Sequence, residues 1–216
     1  AKRYDSALSR LSEAIDDHSS YVEESGLRLE AQAEMLRQRA NIYWLKHEFD
    51  EAVNDLALAR RITPFERLGD IELLTRSLWA AVGKRMVQID DFDEAAAYLE
   101  TQQSKFGQAS ILARTVLLGL APDYKRGKAV FDELVTAAKA NPELSPNIIT
   151  WSTLLSLTGD YATGKAVFNE MVTAAKANPR LTPNIITWNT LLSLATSYSI
   201  GKAVFDDMIK ASVADP

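Results

Sequence analysis

Apolar residues recur along the chain at the three-to-four-residue spacing of amphipathic helices, and no segment alternates in the manner of a β-strand. In the segment 185–194 the apolar side chains share one predicted helical face: Ile185, Trp188, Leu191 and Leu192. Asn184 precedes this segment, and an asparagine there can cap the free N–H groups of a helix start. Pro179 ends the helix before it, because proline cannot continue the hydrogen-bond ladder. The pattern therefore predicts an all-α protein.

The same periodicity predicts helices that alternate between the first and the second helix of a hairpin. First helices are predicted at 27–46, 68–88, 109–119, 147–157 and 184–195. Second helices are predicted at 4–17, 49–62, 92–104, 123–140, 161–177 and 198–212. A hairpin this short cannot bury both apolar faces alone, so it must stack on its neighbours. We expect a right-handed α-α superhelix, which is a solenoid of helical hairpin repeats.

The last third of the chain is an open internal repeat. The pentapeptide Gly-Lys-Ala-Val-Phe that begins at Gly127 returns at Gly164 and at Gly201, with a step of 37 residues. Residues 127–163 and 164–200 are identical at 27 of 37 positions. Such identity predicts that consecutive hairpins have the same structure.

Small residues in these repeats predict where two helices approach closely. Gly127, Gly164 and Gly201 lie near the start of each predicted second helix, and we interpret them as close-packing points. In the more degenerate first half, alanine is expected to have this role. The sequence alignment places Ala129 in register with Ala95 and thus predicts that Ala129 is buried between helices.

Residues 33–64 resemble the tetratricopeptide repeat. Its signature positions correspond here to Leu36, Ala40, Tyr43, Ala52, Leu56, Ala59 and Pro64. Trp79 and Gly83, followed by Ala95, resemble the start of the next repeat. The resemblance implies that first helices line a concave groove that receives a protein or peptide partner.

Some tetratricopeptide domains hold the acidic C-terminus of a peptide with Lys and Asn on first helices. Arg37 and Asn41 occupy the matching positions of the first unit. The next unit presents small residues instead, at Ser77, Ala80 and Ala81, so only half of such a carboxylate clamp is present. Partner contacts are expected from one set of side chains: Arg37, Asn41, Trp44 and Lys84. The other tryptophans, Trp79, Trp151 and Trp188, stand at signature positions and are predicted to lie in the core.

Residues 111–216 resemble the pentatricopeptide repeat, through "PNIITWNTLL" and "GKAVFDDM". The unit is 37 residues long, whereas the family's unit has 35. The resemblance implies that each repeat recognises one RNA base through two side chains. Carried onto this chain, the pairs are Thr115 with Asn147 and Ser152 with Asn184, and Asn189 begins a third pair. These pairings imply a preference for adenine. The alternative interpretation is that the two pair-completing asparagines are helix caps.

Charge differs between the two halves. The 216 residues contain 24 Lys+Arg and 29 Asp+Glu. Residues 1–110 contain 14 Lys+Arg and 20 Asp+Glu, a net charge of −6, whereas residues 111–216 contain 10 and 9, a net charge of +1. Because RNA-binding surfaces need cations to hold phosphates, this balance weighs against RNA.

The composition offers little catalytic chemistry. With no Cys and two His, disulfides, thiolate nucleophiles and Cys-ligated metals are excluded. The acidic run 90–94 lacks the spacing of a calcium loop and is interpreted as a helix start. No apolar run approaches the length of a membrane span. We therefore expect no enzymatic activity, no cofactor, no metal, no small-molecule substrate and no membrane association.

The leading hypothesis is a non-catalytic protein-binding and scaffolding module of one continuous solenoid, tetratricopeptide-like over 1–110 and pentatricopeptide-like over 111–216. The array begins with a second helix that has no first helix, and it stops where another unit should follow. We therefore expect a fragment that serves as a regulatory or docking arm of a larger multidomain protein. An intracellular, cytoplasmic location is expected, with an organelle left open. The alternative function is sequence-selective binding of single-stranded RNA by the second half.

Overall fold

A computed structural model describes residues 2–20 and 26–214, and every regular element in that part of the chain is helical. The α-helices are α1 (Lys2–Ser20), α2 (Gly26–Leu45), α3 (Phe49–Ile62), α4 (Leu68–Ile89), α5 (Phe92–Phe106), α6 (Ile111–Gly119), α7 (Tyr124–Ala138), α8 (Ile148–Ser156), α9 (Tyr161–Ala175), α10 (Ile185–Ser193) and α11 (Tyr198–Ala214). Each predicted helix is present, with ends at most three residues from those predicted. The all-α class is confirmed, while the right-handed superhelix stays a prediction.

The chain divides into two compact units, unit 1 (Ala1–Ala113) and unit 2 (Arg114–Pro216). In unit 1, α1 packs against α2, α2 against α3, α3 against α4 and α4 against α5. Its core includes fully buried side chains from α2, α3 and α4: Leu36, Ala52, Leu78, Trp79 and Val82. The prediction that Trp79 is a core residue is confirmed.

Polar contacts also join the helices of unit 1. The buried carboxylate of Asp55 accepts two hydrogen bonds from Arg39, each 2.7 Å long, and Arg39 also donates to Ser12 Oγ at 3.0 Å. This pair ties α1, α2 and α3 together. Asp50 accepts from Arg85 Nε and from the hydroxyl of Tyr98, each at 2.8 Å. Burial and the contact with Asp50 raise the pKa of Tyr98, so its hydroxyl remains a donor at neutral pH.

In unit 2, the two copies of the repeat have the same local structure. Asp123 and Asp160 cap α7 and α9, and Asn147 and Asn184 cap α8 and α10. A short 3-10 helix, Pro142–Leu144, precedes α8, and a second one, Pro179–Leu181, precedes α10. Sequence analysis did not predict these 3-10 turns. They are the part of the 37-residue unit in which Leu144 and Leu181 become buried.

The close-packing prediction is confirmed for two glycines. A Cβ atom on Gly127 would overlap Leu157 Cδ1, and one on Gly164 would overlap Leu194 Cδ1. At Gly201 the nearest atom, Leu192 Cδ1, lies 3.6 Å away, which is ordinary contact.

The alignment that placed Ala129 between helices is wrong, because Ala129 is exposed. In α3, α5, α7 and α9 the fourth residue of the helix is the buried small one: Ala52, Ala95, Gly127 and Gly164. The register error is two residues, and it arises because the alignment matched alanine with alanine rather than helix start with helix start.

Two further core predictions in unit 2 need correction or refinement. Trp151 is buried and packs edge-on against Phe131, with ring centroids 4.6 Å apart, as predicted for a core residue. The ring centroids of Trp188 and Phe168 lie 4.5 Å apart, but Trp188 is only half-buried. Ile185, predicted on the apolar face of α10, is exposed, because the buried face of this helix runs through Thr187 and Leu191.

Candidate functional site

Three of the four residues predicted to bind a partner line one cavity in unit 1. This cavity, of about 260 Å³, lies between the first helices α2 and α4, and we call it the α2–α4 concavity. Its lining consists of Arg37, Ala40, Asn41, Trp44, Leu56, Leu73, Ser77 and Ala80. The lining residues of each helix are three or four positions apart, so they share one face. The grouping of Arg37, Asn41 and Trp44 on one surface is therefore observed.

The side chains of this concavity offer an amide and an indole ring. Asn41 is exposed and can both donate and accept hydrogen bonds. Trp44 is half-buried, with its ring edge-on to Phe49 at 5.3 Å. This contact holds the indole in place while part of its surface faces the concavity.

Arg37 is already engaged by a carboxylate. Its guanidinium donates to both oxygens of Glu34, at 2.6 and 2.7 Å. The hydrogen bond from Arg37 lowers the pKa of Glu34, so the pair stays ionised at neutral pH. A ligand carboxylate would have to displace Glu34 from Arg37. This arrangement weighs further against the carboxylate clamp.

Lys84 lies apart from the other three residues. It is exposed on α4 and is not among the residues that line the concavity. The neighbouring Arg85 has the structural role there, through its bond to Asp50.

Sequence analysis missed a second, charged cavity beside the first. It has a volume of about 370 Å³, and it shares Arg37 and Leu73 with the α2–α4 concavity. Arg67 sits at its wall, 3.3 Å from Glu30 and 3.5 Å from Asp70. No signal in the sequence pairs residue 30 with residue 67, because their proximity depends on how the hairpins pack.

In unit 2, each predicted RNA-binding pair is joined through a buried threonine. Asn147 Oδ1 accepts from the hydroxyl of Thr150 at 3.2 Å, and Thr150 Oγ1 lies 3.0 Å from Thr115 Oγ1. Asn184 Oδ1 accepts from the hydroxyl of Thr187 at 3.1 Å, and Thr187 Oγ1 lies 3.0 Å from Ser152 Oγ. The two repeats therefore build the same network.

The capping interpretation of the two asparagines is confirmed. Asn147 Oδ1 accepts from the backbone N–H groups of Ile149 and Thr150, and Asn184 Oδ1 accepts from that of Thr187. Capping occupies the amide oxygen and leaves the Nδ2 hydrogens as the donors that the side chain presents. Because Thr187 uses its hydrogen on Asn184, Ser152 must donate to Thr187 and presents oxygen lone pairs.

A concavity of about 310 Å³ surrounds one of these pairs. This α8–α10 concavity is lined by Ile148, Ile149, Ser152, Thr153, Ser156, Asn184, Ile186 and Thr190, none of which carries a charge. Ile149 and Ile186 are 64% and 62% exposed, so two apolar side chains flank the polar pair. The repeat sequence shows that residues 149 and 186 are apolar, but it does not show that they are exposed. Asn189 is exposed on α10 and does not line this concavity.

Within 2–20 and 26–214, no three His, Asp or Glu side chains lie close enough together to hold a metal ion. In the acidic run 90–94, Asp90 ends α4 and Asp91 caps the start of α5, where its carboxylate accepts from Glu94 N–H at 2.9 Å. None of the described helices has the length and apolar character needed to cross a membrane.

Comparisons with protein-family models, with curated proteins and with solved structures find no match to this chain. The resemblance to the two helical-repeat families therefore stays a prediction that rests on the motifs quoted above.

Proposed function

We propose that this chain is a non-catalytic protein-binding and scaffolding module of stacked helical hairpins, acting as a docking or regulatory arm of a larger protein. The observation that carries the proposal is the α2–α4 concavity, where Arg37, Asn41 and Trp44 meet on one surface. In the right-handed superhelix that the repeats predict, first helices such as α2 and α4 line the concave side, where a partner is received.

The proposed ligand of this concavity is a peptide segment bound through its backbone. The Asn41 amide matches the donor and acceptor of a peptide unit, so it can form two hydrogen bonds with an extended chain. Trp44 and Leu73 supply apolar contact for one side chain. Since Glu34 neutralises Arg37, the concavity suits an uncharged backbone better than a terminal carboxylate.

The proposal is tested by panning a displayed library of random peptides against the chain. Enriched peptides are then labelled, and their affinity is measured by fluorescence polarisation. We expect Asn41→Ala and Trp44→Ala each to weaken binding by about tenfold or more, as for a residue at the centre of an interface. Asn169→Ala is the matched control, because Asn169 is exposed on α9 and is not among the residues that line the concavity. No enrichment, or enriched peptides that bind both variants as tightly as the original chain, contradicts the proposal.

The second candidate function is binding of single-stranded RNA by unit 2, and one observation favours it. In the α8–α10 concavity, Asn184 presents Nδ2 donors and Ser152 presents oxygen lone pairs. Adenine has the complementary pattern on its Watson–Crick edge, with an acceptor nitrogen beside an amino group. Ile149 and Ile186 could contact the two faces of the base. The lack of a charged residue in the lining is the reason for ranking this function second.

Asn184 caps α10 and would also present amide donors to RNA, and a substitution that keeps the cap can separate these two roles. Serine also caps helices, so Asn184→Ser keeps α10 and removes the amide donors. If unit 2 binds RNA, this variant should weaken binding to an oligoadenylate at about 50 mM salt. The matched control is Asn178→Ser, since Asn178 caps the neighbouring 3-10 turn. Absence of oligoadenylate binding by the unaltered chain removes this candidate.

A further inference from the structure

A third cavity of unit 1 collects cations that have no carboxylate partner. It has a volume of about 850 Å³ and lies along α3, the segment that follows α3, and the end of α5. We call it the basic groove and define it by its three cations, Arg60, Arg61 and Lys105, and two aromatic residues, Phe65 and Phe106. No acidic residue is among its lining residues.

Most other cations whose side chains the structure describes in unit 1 pair with carboxylates. Six of these eight form ion pairs, and Arg10 and Lys84 form none; the six are Arg37, Arg39, Lys46, Arg67, Arg76 and Arg85. Among the described residues, Arg60, Arg61 and Lys105 form none, although residues 1–110 contain 20 acidic side chains against 14 basic ones. In a segment with a net charge of −6, the positive charge of the groove is therefore local and unneutralised.

The groove also has an apolar component. Phe65 is 79% exposed, which is a large apolar surface to leave in water. Phe106 and Leu58 are half-buried in the same lining. Arg60 Nη1 donates to the backbone carbonyl of Phe106 at 3.1 Å, which fixes α3 to the last residue of α5 and sets the wall of the groove.

We propose that the basic groove binds an acidic peptide segment that carries one large apolar side chain. Acidic side chains of the ligand pair with Arg61 and Lys105 at the rim, and its apolar side chain packs against Phe65. A nucleic acid could also stack a base on Phe65, but it carries a phosphate at every nucleotide. Phosphates beyond the three cations would face the net negative charge of residues 1–110, whereas a short acidic segment can place its few carboxylates on the cations alone.

This site is separate from the α2–α4 concavity, and it could bind its peptide even if that concavity bound nothing. The two cavities have no lining residue in common. Variants of one can therefore be made without touching the other.

The experiment uses a labelled synthetic peptide in which Asp and Glu flank a single Phe, with affinity measured by fluorescence polarisation on the full chain. We expect the double variant Arg61→Glu with Lys105→Glu to weaken binding by about tenfold or more, since attraction becomes repulsion. Arg10→Glu is the control for added negative charge, because Arg10 is exposed on α1 and outside the groove. It should change affinity by much less.

The apolar contribution is tested without changing any charge. Because Phe65 is exposed, Phe65→Ser should leave the helical circular dichroism and thermal unfolding unchanged. It should nevertheless weaken peptide binding, as should replacing the Phe of the peptide by Ser. Binding should also weaken as salt is raised, because rim charges are screened.

Three results would overturn the inference. The first is an affinity for the peptide that the double variant does not change. The second is binding that Asn41→Ala or Trp44→Ala abolishes while the double variant retains it, which would move the ligand to the α2–α4 concavity and support the proposed function instead. The third is tighter binding of an oligonucleotide of equal charge than of the peptide, which would identify a site for nucleic acid.

Discussion

The helices α9 and α11 begin with nearly the same sequence, and their equivalent residues have different surroundings. Phe168 on α9 is 2% exposed and packs on Trp188 of the first helix that follows it. Phe205, one repeat later on α11, is 48% exposed, and no described aromatic residue covers it. The phenylalanine of the identical pentapeptide is thus buried in one repeat and half-exposed in the next, although the valine before it is buried in both.

The same contrast holds at the glycines. Gly164 is buried against Leu194, whereas Gly201 has only ordinary contacts around it. The comparison shows that a repeat's own sequence makes the helix, while the neighbouring first helix buries it. This is the one-dimensional behaviour expected of stacked hairpins.

The largest expected difference between the two helices is at the phenylalanines. Phe168→Ala should cost about 3–5 kcal/mol of unfolding free energy, because it opens a cavity beside Trp188. Phe205→Ala should cost under about 1 kcal/mol, since half of this ring is already in water. Urea unfolding of the full chain, followed by circular dichroism, measures both. Equal losses would show that α11 is covered as α9 is.

At the glycines, the same substitution to alanine should destabilise the chain at one position and stabilise it at the other. Gly164→Ala places a methyl group onto Leu194 and 3.0 Å from Thr158 Oγ1, which should cost about 1–3 kcal/mol. Gly201→Ala meets no close atom, so the helix propensity of alanine should stabilise the chain by up to about 1 kcal/mol. The comparison fails if both variants shift the urea midpoint in the same direction.

The smallest effect concerns the caps and depends on pH. The N–H and hydroxyl of Thr163 donate to Asp160 and lower the pKa of its carboxyl. A lowered pKa contributes stability above the unfolded-state value of about 4, and this contribution is lost as pH falls through the lower folded-state value.

The third repeat has a serine at the position of this capping aspartate, and serine is therefore the natural substitution for a test. Ser197 stands where Asp160 does, and its Oγ accepts from Ile200 N–H at 3.3 Å without titrating. Asp160→Ser should therefore flatten the dependence of the urea midpoint on pH below about pH 4 and change it little at neutral pH. An unchanged acid profile would mean that the Asp160 cap contributes nothing to acid unfolding.

Sequence periodicity and stop signals were sufficient for the helices but not for all contacts. Phe49–Ile62 is the clearest case, because its ends match the prediction at both residues. Asn141 and Asn178 each precede a proline, yet the 3-10 turns that they cap were not predicted. A 3-10 turn is too short to leave a periodic pattern.

The candidate sites were predicted in part. The resemblance implied that Arg37, Asn41 and Trp44 contact a partner, and the structure shows them in one cavity. The basic groove was not predicted, because Arg61 and Lys105 are distant in sequence and meet only where α3 and α5 lie close together. Pairing of Arg37 with Glu34 could have been suspected from their spacing of three residues.

By itself, the sequence determined the helices, their caps and the two-helix repeat, because these depend on residues within a few positions of one another. Tertiary structure alone decided which equivalent residues are buried. Ile185, Phe205 and Ala129 are exposed, although their apolar character would suit a core. The physical reason is that the burial of a side chain depends on which helix packs over it and in which register. Neither can be read from the side chain itself.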